Sequence, residues 1–376
     1  MRQSLRLGRI LGIPVGIHWS VLVIALLLAQ GVALSVLPSA APGRSGVAYW
    51  TAAALASILF LASLLAHEMS HALVARHYRV GVKRVTLWLL GGVAELDGDA
   101  PDPRADLLIA LAGPGASVVS GAVFLGAAVA SATFGWPSVL VASLGWLAAV
   151  NFVLAVFNLL PGAPLDGGRV LRAALWWRSG DRAAAQRTAS RAGVIVGMLL
   201  VLGGAAEVLF TRTLSGLWLA LIGWFLMSAA NAEQADSTAQ QVLGGVTVRE
   251  AMHTDAGFGY ANQSVDDFVN SVARYRRERA FPVIDWDGSP VGVVDLAQLA
   301  RLPASARTGV RLRDVIVPSA QAPVVGPDDS LAGVARRLRV PGPGLALVVA
   351  DGRVVGVLGR GDLSRVVQLA ALSRST

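Results

Sequence analysis

Apolar runs long enough to cross a bilayer constrain this chain more than any other feature. A helix needs about 20 apolar residues to span the roughly 30 Å hydrocarbon core. Six stretches qualify: 15–37, 50–78, 105–131, 137–160, 190–210 and 213–231. The last two are short and joined by Phe210-Thr211-Arg212-Thr213, which suggests a tight hairpin of helices. The chain is 15% charged, against about a quarter in ordinary soluble domains. The deficit lies in residues 10–231, whereas residues 232–376 read as a soluble α/β protein. The expected division is a membrane domain (1–231), a polar linker (232–245) and a C-terminal domain (246–376).

A net charge of +8 can mean a nucleic-acid partner, but here the arginines cluster between apolar spans, so no nucleic acid is expected. Arg2, Arg6 and Arg9 precede the first span; Arg76, Arg79, Lys83, Arg84 and Arg104 separate the second from the third. Arg169, Arg172, Arg178, Arg182, Arg187 and Arg191 separate the fourth from the fifth, and the opposite loops offer only Arg44 and Arg212. By the positive-inside rule both termini face the cytoplasm. The first apolar run extends to Leu37, which favours a retained span over a cleaved signal peptide. The absence of cysteine excludes disulfides, thiolate metal sites and cysteine nucleophiles.

Inside the second run stands His67-Glu68-Met69-Ser70-His71. Two imidazoles four residues apart on a helix lie one turn apart on one face, where both can offer a ring nitrogen to one zinc ion, with Glu68 beside them. Ionisable groups are costly in hydrocarbon, so their presence there points to function. Zinc is commonly tetrahedral, and two imidazoles leave it needing a third protein ligand. Asp166 is the candidate. It follows a Pro/Gly break, Pro161-Gly-Ala-Pro164-Leu-Asp166-Gly-Gly168, that cannot continue the fourth helix. If the second span enters near Trp50, His67 lies 17 residues along, about 26 Å in, close to the cytoplasmic end of the core where the fourth span delivers Asp166.

Asn151 and Asn158 share one face of the fourth span. Residues 85–98, with Gly91-Gly92 at their centre, suggest a small β-hairpin. It either sits at the membrane and pairs with an extended substrate or is a plain surface hairpin with a solvated acidic run. Leu111-Ala-Gly-Pro-Gly115 reads as close helix packing with no chemistry. His18 and His77 are expected to cap or snorkel at span ends, and neither they nor His253 is assigned chemistry.

Taken together, His67-Glu68-x-x-His71, the Gly-Gly hairpin, Leu-Ala-Gly-Pro-Gly and Asn158-Leu-Leu-Pro-x-x-Pro-Leu-Asp166-Gly-Gly-Arg resemble the site-2 protease family of intramembrane zinc metalloproteases. Gly12-Ile-Pro-Val-Gly-Ile-His-Trp19 resembles that family's opening. The resemblance covers roughly residues 1–231 and implies His67, His71 and Asp166 as ligands of one Zn2+ per chain. It implies Glu68 as general base and Asn158 as oxyanion-stabilising or substrate-positioning. The expected fold is an α-helical polytopic membrane domain of about six transmembrane helices with a small membrane-associated β-hairpin, followed by a C-terminal α/β tandem CBS domain. The expected activity is hydrolysis of a peptide bond in or near the transmembrane segment of a membrane-tethered protein. By family analogy that substrate is an anti-sigma or pro-sigma factor, in a bacterial plasma membrane.

The CBS resemblance rests on a repeat. Val291-Gly-Val-Val-Asp-Leu matches Val355-Gly-Val-Leu-Gly-Arg, and Val248-Arg-Glu-Ala-Met matches Leu312-Arg-Asp-Val-Ile, both at an offset of 64 residues. Helices are expected at 264–277 and 330–339. Such pairs imply adenine-nucleotide sensing, homodimerisation or both. Where the nucleotide pattern wants a hydroxyl, the first copy has Asp295, which would repel a phosphate, and the second has Gly359. Only Asp362 keeps its place as a nucleotide contact, so dimerisation or regulation is favoured. The rival from another class is a CBS-regulated metal-ion transporter that uses the same His/Asp site. A second rival, a pseudoprotease, is disfavoured by the intact ligands and base.

Overall fold

The computed structural model describes residues 5–88, 91–211, 215–338 and 343–373. Contacts divide the chain into two compact units, 1–234 and 235–376. Among the described residues six helices are long and apolar enough to cross a membrane. They are α1 (Ser20–Ala40), α2 (Gly46–His77), α3 (Pro103–Thr133), α4 (Ser138–Asn158), α6 (Arg182–Thr211) and α7 (Ser215–Gly244), with a shorter helix, α5 (Asp166–Ser179), between α4 and α6. Two expected features, Arg2 and the Arg212-Thr213 joint, lie outside the described residues.

The helix ends follow from local chemistry. The Ser45 hydroxyl accepts from Ala48 N–H at 3.3 Å and starts α2. Asp102 caps α3 by accepting from Ala105 N–H at 2.8 Å, with Pro103 at the first helical position. Gly180, at φ +70°, ends α5 in the left-handed conformation that a side chain disfavours. His18 does cap a span, its Nδ1 lying 2.8 Å from the Ser20 hydroxyl and accepting from Ser20 N–H at 3.3 Å. The α6–α7 hairpin is tight because small residues face each other. A Cβ on Gly204 would stand 2.3 Å from the Gly216 carbonyl oxygen, and one on Gly197 2.7 Å from that of Gly223.

The expected hairpin is half of a larger element. Strands β1 (Leu5–Ile10), β2 (Ile13–Ile17), β3 (Gly81–Trp88) and β4 (Gly91–Asp97) form one sheet in the order β1-β2-β3-β4. β2 runs parallel to β3, pairing Val15 with Val85 and Ile17 with Leu87, and β3 runs antiparallel to β4. The first span therefore begins at Ser20 rather than at residue 15. The turn at Leu11 and Gly12, both at positive φ, returns the chain, and Ile13 and Val15 are buried with Val85 against Met69 and Ala72 of α2. The sheet is thus anchored on the helix that carries His67 and His71, and β4 is its outer strand beside the site.

Residues 232–244, expected as a linker, are helical and belong to α7. Ala, Glu and Gln there favour helix, and polarity alone does not end one.

The second unit contains two sheets. One has the order β5-β6-β7-β8, formed by Gly259–Tyr260, Ala280–Ile284, Pro290–Asp295 and Val317–Pro318. The other contains β9 (Val324–Val325), β10 (Leu345–Ala350) and β11 (Arg353–Gly359), with helices α8 (Val265–Ser271), α9 (Leu331–Leu338) and α10 (Arg360–Ser373). In both sheets a short strand runs parallel to the first arm of an antiparallel hairpin. That shared pattern is the structural counterpart of the sequence repeat. Each half has its own core, with Phe268, Phe281, Val294 and Leu312 in one and Val248, Leu331, Ala346 and Leu358 in the other, so that the repeat partners Val294 and Leu358, like Leu312 and Val248, are buried in opposite cores. The first of the expected helices is shorter than its pattern, with a 3-10 turn at Ala273–Tyr275 after α8. Residue 339 of the second lies outside the described residues.

Candidate active site

His67 and His71 stand one turn apart on α2, 3% and 5% exposed, with their Nε2 atoms 3.3 Å apart. Asp166, the first residue of α5, brings Oδ2 to 3.2 Å from both nitrogens. The three atoms form a nearly equilateral triangle. Tetrahedral zinc with bonds of about 2.0–2.2 Å separates its ligand atoms by roughly 3.3–3.5 Å, so this donor set fits such an ion.

The other ring nitrogens are also held. His71 Nδ1 lies 2.6 Å from the Ile109 carbonyl oxygen, which can only accept. The proton is therefore on Nδ1, and the Nε2 lone pair faces the triangle. His67 Nδ1 lies 2.9 Å from the Ser117 hydroxyl, a contact that permits the same tautomer. Burial pushes the Asp166 carboxyl up, but when the imidazoles carry a second proton, on Nε2, in the metal-free protein, their hydrogen bonds to it outweigh burial and bring the pKa to about 2. Asp166 is a carboxylate at any physiological pH.

Two glycines make the site possible. A Cβ on Gly113 of α3 would lie 2.1 Å from His71 Nε2 and 2.6 Å from His67 Nε2. A Cβ on Gly92 of β4 would lie 2.2 Å from Glu68 Cγ. Gly113 belongs to Leu-Ala-Gly-Pro-Gly, which by sequence reads as helix packing; the packing is real, but its partners are the two imidazoles. Glu68 is 9% exposed and lies beside Ala94 of β4 on the cavity wall.

A cavity of about 650 Å³ joins these groups. Its wall includes His67, Glu68, His71, Asn158 and Asp166, together with β4 residues 91–94. Asn151 is instead buried within α4, where its Nδ2 donates to the Leu147 carbonyl at 2.8 Å. α7 closes one side with Trp218, Leu221, Ile222 and Phe225. Sequence reasoning assigned α7 only to spanning, although the i, i+3, i+4, i+7 spacing of those four residues marks a single apolar face.

In the second unit Asp362 lines a cavity of about 940 Å³ with Asp295, Arg277, Arg279 and Arg360. Its carboxylate is engaged, Oδ1 with His253 Nε2 at 2.5 Å and Oδ2 accepting from Gly359 N–H at 2.7 Å. His253, set aside on sequence, is thus the hydrogen-bond partner of the candidate nucleotide contact.

Comparison with known proteins identifies the family. The model of peptidase family M50 matches residues 55–141 and 131–202, and that of the CBS domain matches residues 312–369. The chain is 41% identical to Rip3 of Mycobacterium tuberculosis, a protein named as a zinc metalloprotease, over 100% of this chain and 95% of the relative. It is 30% identical to a Synechocystis protein also named as a zinc metalloprotease, over 99% and 97% of the two chains. Among solved structures, the site-2 protease of Methanocaldococcus jannaschii is 28% identical, covering 61% of this chain and 94% of that one, with a TM-score of 0.42. The transporter alternative finds no favour among these relatives. Six apolar helices make the chain a multi-pass membrane protein. It belongs to the site-2 proteases of peptidase family M50 and is an intramembrane zinc metalloprotease with a C-terminal CBS domain.

Proposed function

We propose that His67, His71 and Asp166 hold the single zinc ion, that Glu68 is the general base, and that Asn158 steadies the oxyanion. The observation that carries this reading is the shared 3.2 Å approach of Asp166 Oδ2 to both imidazole nitrogens. A zinc ion bound there supplies Lewis-acid polarisation of the scissile carbonyl and acidifies water toward a pKa of about 7. Glu68, on the cavity wall beside His67 and His71, takes the proton of the attacking water and delivers it to the leaving amine. Asn158, on the cavity wall, offers its amide to the developing oxyanion, and loss of such a donor typically costs about 3 kcal/mol. β4 is the outer strand of its sheet, so its free edge can hold an unwound substrate segment extended beside Glu68.

The substrate is a transmembrane segment of a membrane-tethered regulator, of the anti-sigma or pro-sigma kind. Arginine placement supports cytoplasmic termini in a bacterial plasma membrane. The CBS repeats act in homodimerisation or regulation, because Asp362 is already occupied by His253. The test is Glu68→Gln, which retains zinc, abolishes cleavage and traps the substrate helix in its own membrane. Full cleavage by that variant refutes the assignment.

A further inference from the structure

One face of α3 touches both imidazoles: Ile109 through its carbonyl, Gly113 through its missing side chain, and Ser117 through its hydroxyl. Asp106 lies on the same face, three, seven and eleven residues before them, and is fully buried. Its carboxylate receives a fork from Arg172 of α5, Nε to Oδ2 at 2.8 Å and Nη2 to Oδ1 at 2.7 Å. Arg169 approaches Oδ1 at 3.4 Å. The remaining arm of Arg172, Nη1, donates to Gln186 of α6 at 2.6 Å. α5 opens with Asp166 and has no side-chain cap at Leu165, so the carboxylate's position depends on how the helix body is fixed. The preceding loop is pinned by Ala163 N–H to the Ala189 carbonyl at 3.1 Å, and Gly167 and Gly168 lie so close to the backbone of 159–163 that a Cβ on either would stand 2.3 Å from it, which fixes the start of α5 and leaves the fork to fix its body.

We propose that the Asp106–Arg172 fork positions Asp166, so that a single face of α3 orients all three zinc ligands. The inference rests on the metal-centre reading above. A bidentate fork fixes orientation as well as distance, and a lysine cannot replace it. Six residues of helix, about 9 Å, carry the constraint from Arg172 to Asp166. The buried pair is thereby explained as more than a source of stability, which buried ion pairs seldom supply.

The test uses the full-length protein in detergent. Zinc affinity is measured by chelator competition, and unfolding of the metal-free protein is followed in parallel. Arg172→Lys keeps both charges but loses the fork. Asp106→Asn combined with Arg172→Gln replaces the buried fork with an amide pair, and only the partly exposed Arg169 loses its 3.4 Å approach to Asp106. Both variants are expected to unfold within a few degrees of wild type and to bind zinc about 10–100-fold more weakly, as for other groups that orient metal ligands. Affinity within twofold of wild type in either folded variant overturns the proposal. So does an affinity loss that only accompanies unfolding. Asp166→Ala separates the two levels. Zinc loss there with normal affinity in the fork variants refutes the fork alone, whereas zinc retention in Asp166→Ala refutes the metal centre as well.

Discussion

Gly113→Ala should empty the zinc site without unfolding the helix that bears it. The added carbon would sit 2.1 Å from His71 Nε2 and 2.6 Å from His67 Nε2. A zinc ion bonds such nitrogens at about 2.0–2.1 Å, so the methyl group competes for the ion's own space. Carbon and nitrogen in ordinary contact stay roughly 3.5 Å apart, so the imidazoles must retreat by about 1 Å or more. Misplacement on that scale costs on the order of 100-fold in rate, or about 2.7 kcal/mol. Helix propensity, which favours alanine over glycine by about 0.8–1 kcal/mol, pulls the other way, though less at Gly113 because Pro114 follows it. The control lies two residues away. Gly115 has nothing within 4 Å of the corresponding position and no proline after it, so Gly115→Ala gains the helix propensity with no clash. The assay pairs zinc stoichiometry with cleavage of a transmembrane substrate in detergent. Gly113→Ala should lose both, with its unfolding temperature unchanged or raised, while Gly115→Ala keeps both. Stoichiometric zinc and wild-type cleavage in Gly113→Ala would refute the assigned geometry.

Three further predictions concern neighbouring groups. Gly92→Ala places a carbon 2.2 Å from Glu68 Cγ, so cleavage should fall by about 100-fold while zinc stays bound; a matching loss of zinc would contradict it. Asp166 titrates at about 2 when folded against an ordinary 3.8, so its contribution to stability is complete above pH 3.8 and is lost as the pH falls through 2. Unfolding of metal-free Asp166→Asn should lack that part of the acid limb, and an unchanged limb would count against the His–Asp contacts. Titration of the full-length protein with adenine nucleotide should give no micromolar isotherm, because the Asp362 carboxylate is held by His253 and Gly359 N–H; such an isotherm would overturn the preference for dimerisation or regulation.

The chemistry of this protein was legible in its sequence because its signals are local. His67, Glu68 and His71 lie within two turns of one helix, and their mutual geometry follows from helical period alone. The spans were readable because hydrocarbon thickness imposes length and apolarity on each segment separately. Five of the six expected spans coincide closely with observed helices at their apolar centres, and the first differs at its start, where β2 pairs with a strand some 70 residues later. Pairing of that kind leaves no mark in a run of apolar residues, which serve a buried strand as well as a helix.

What the sequence determined by itself was the kind of site, its three candidate ligands and its place within a membrane domain. The tertiary structure decided how those ligands are held. Ser117 reaches His67 across 50 residues, Ile109 reaches His71 across 38, and Asp166 reaches it across 95. It likewise turned Gly113 from a packing residue into a boundary of the zinc site, set β4 against Glu68 and brought α7 over the cavity. None of these follows from local period or composition. Each depends on which helix faces belong together, a choice made by close packing and hydrogen bonding across the whole membrane unit.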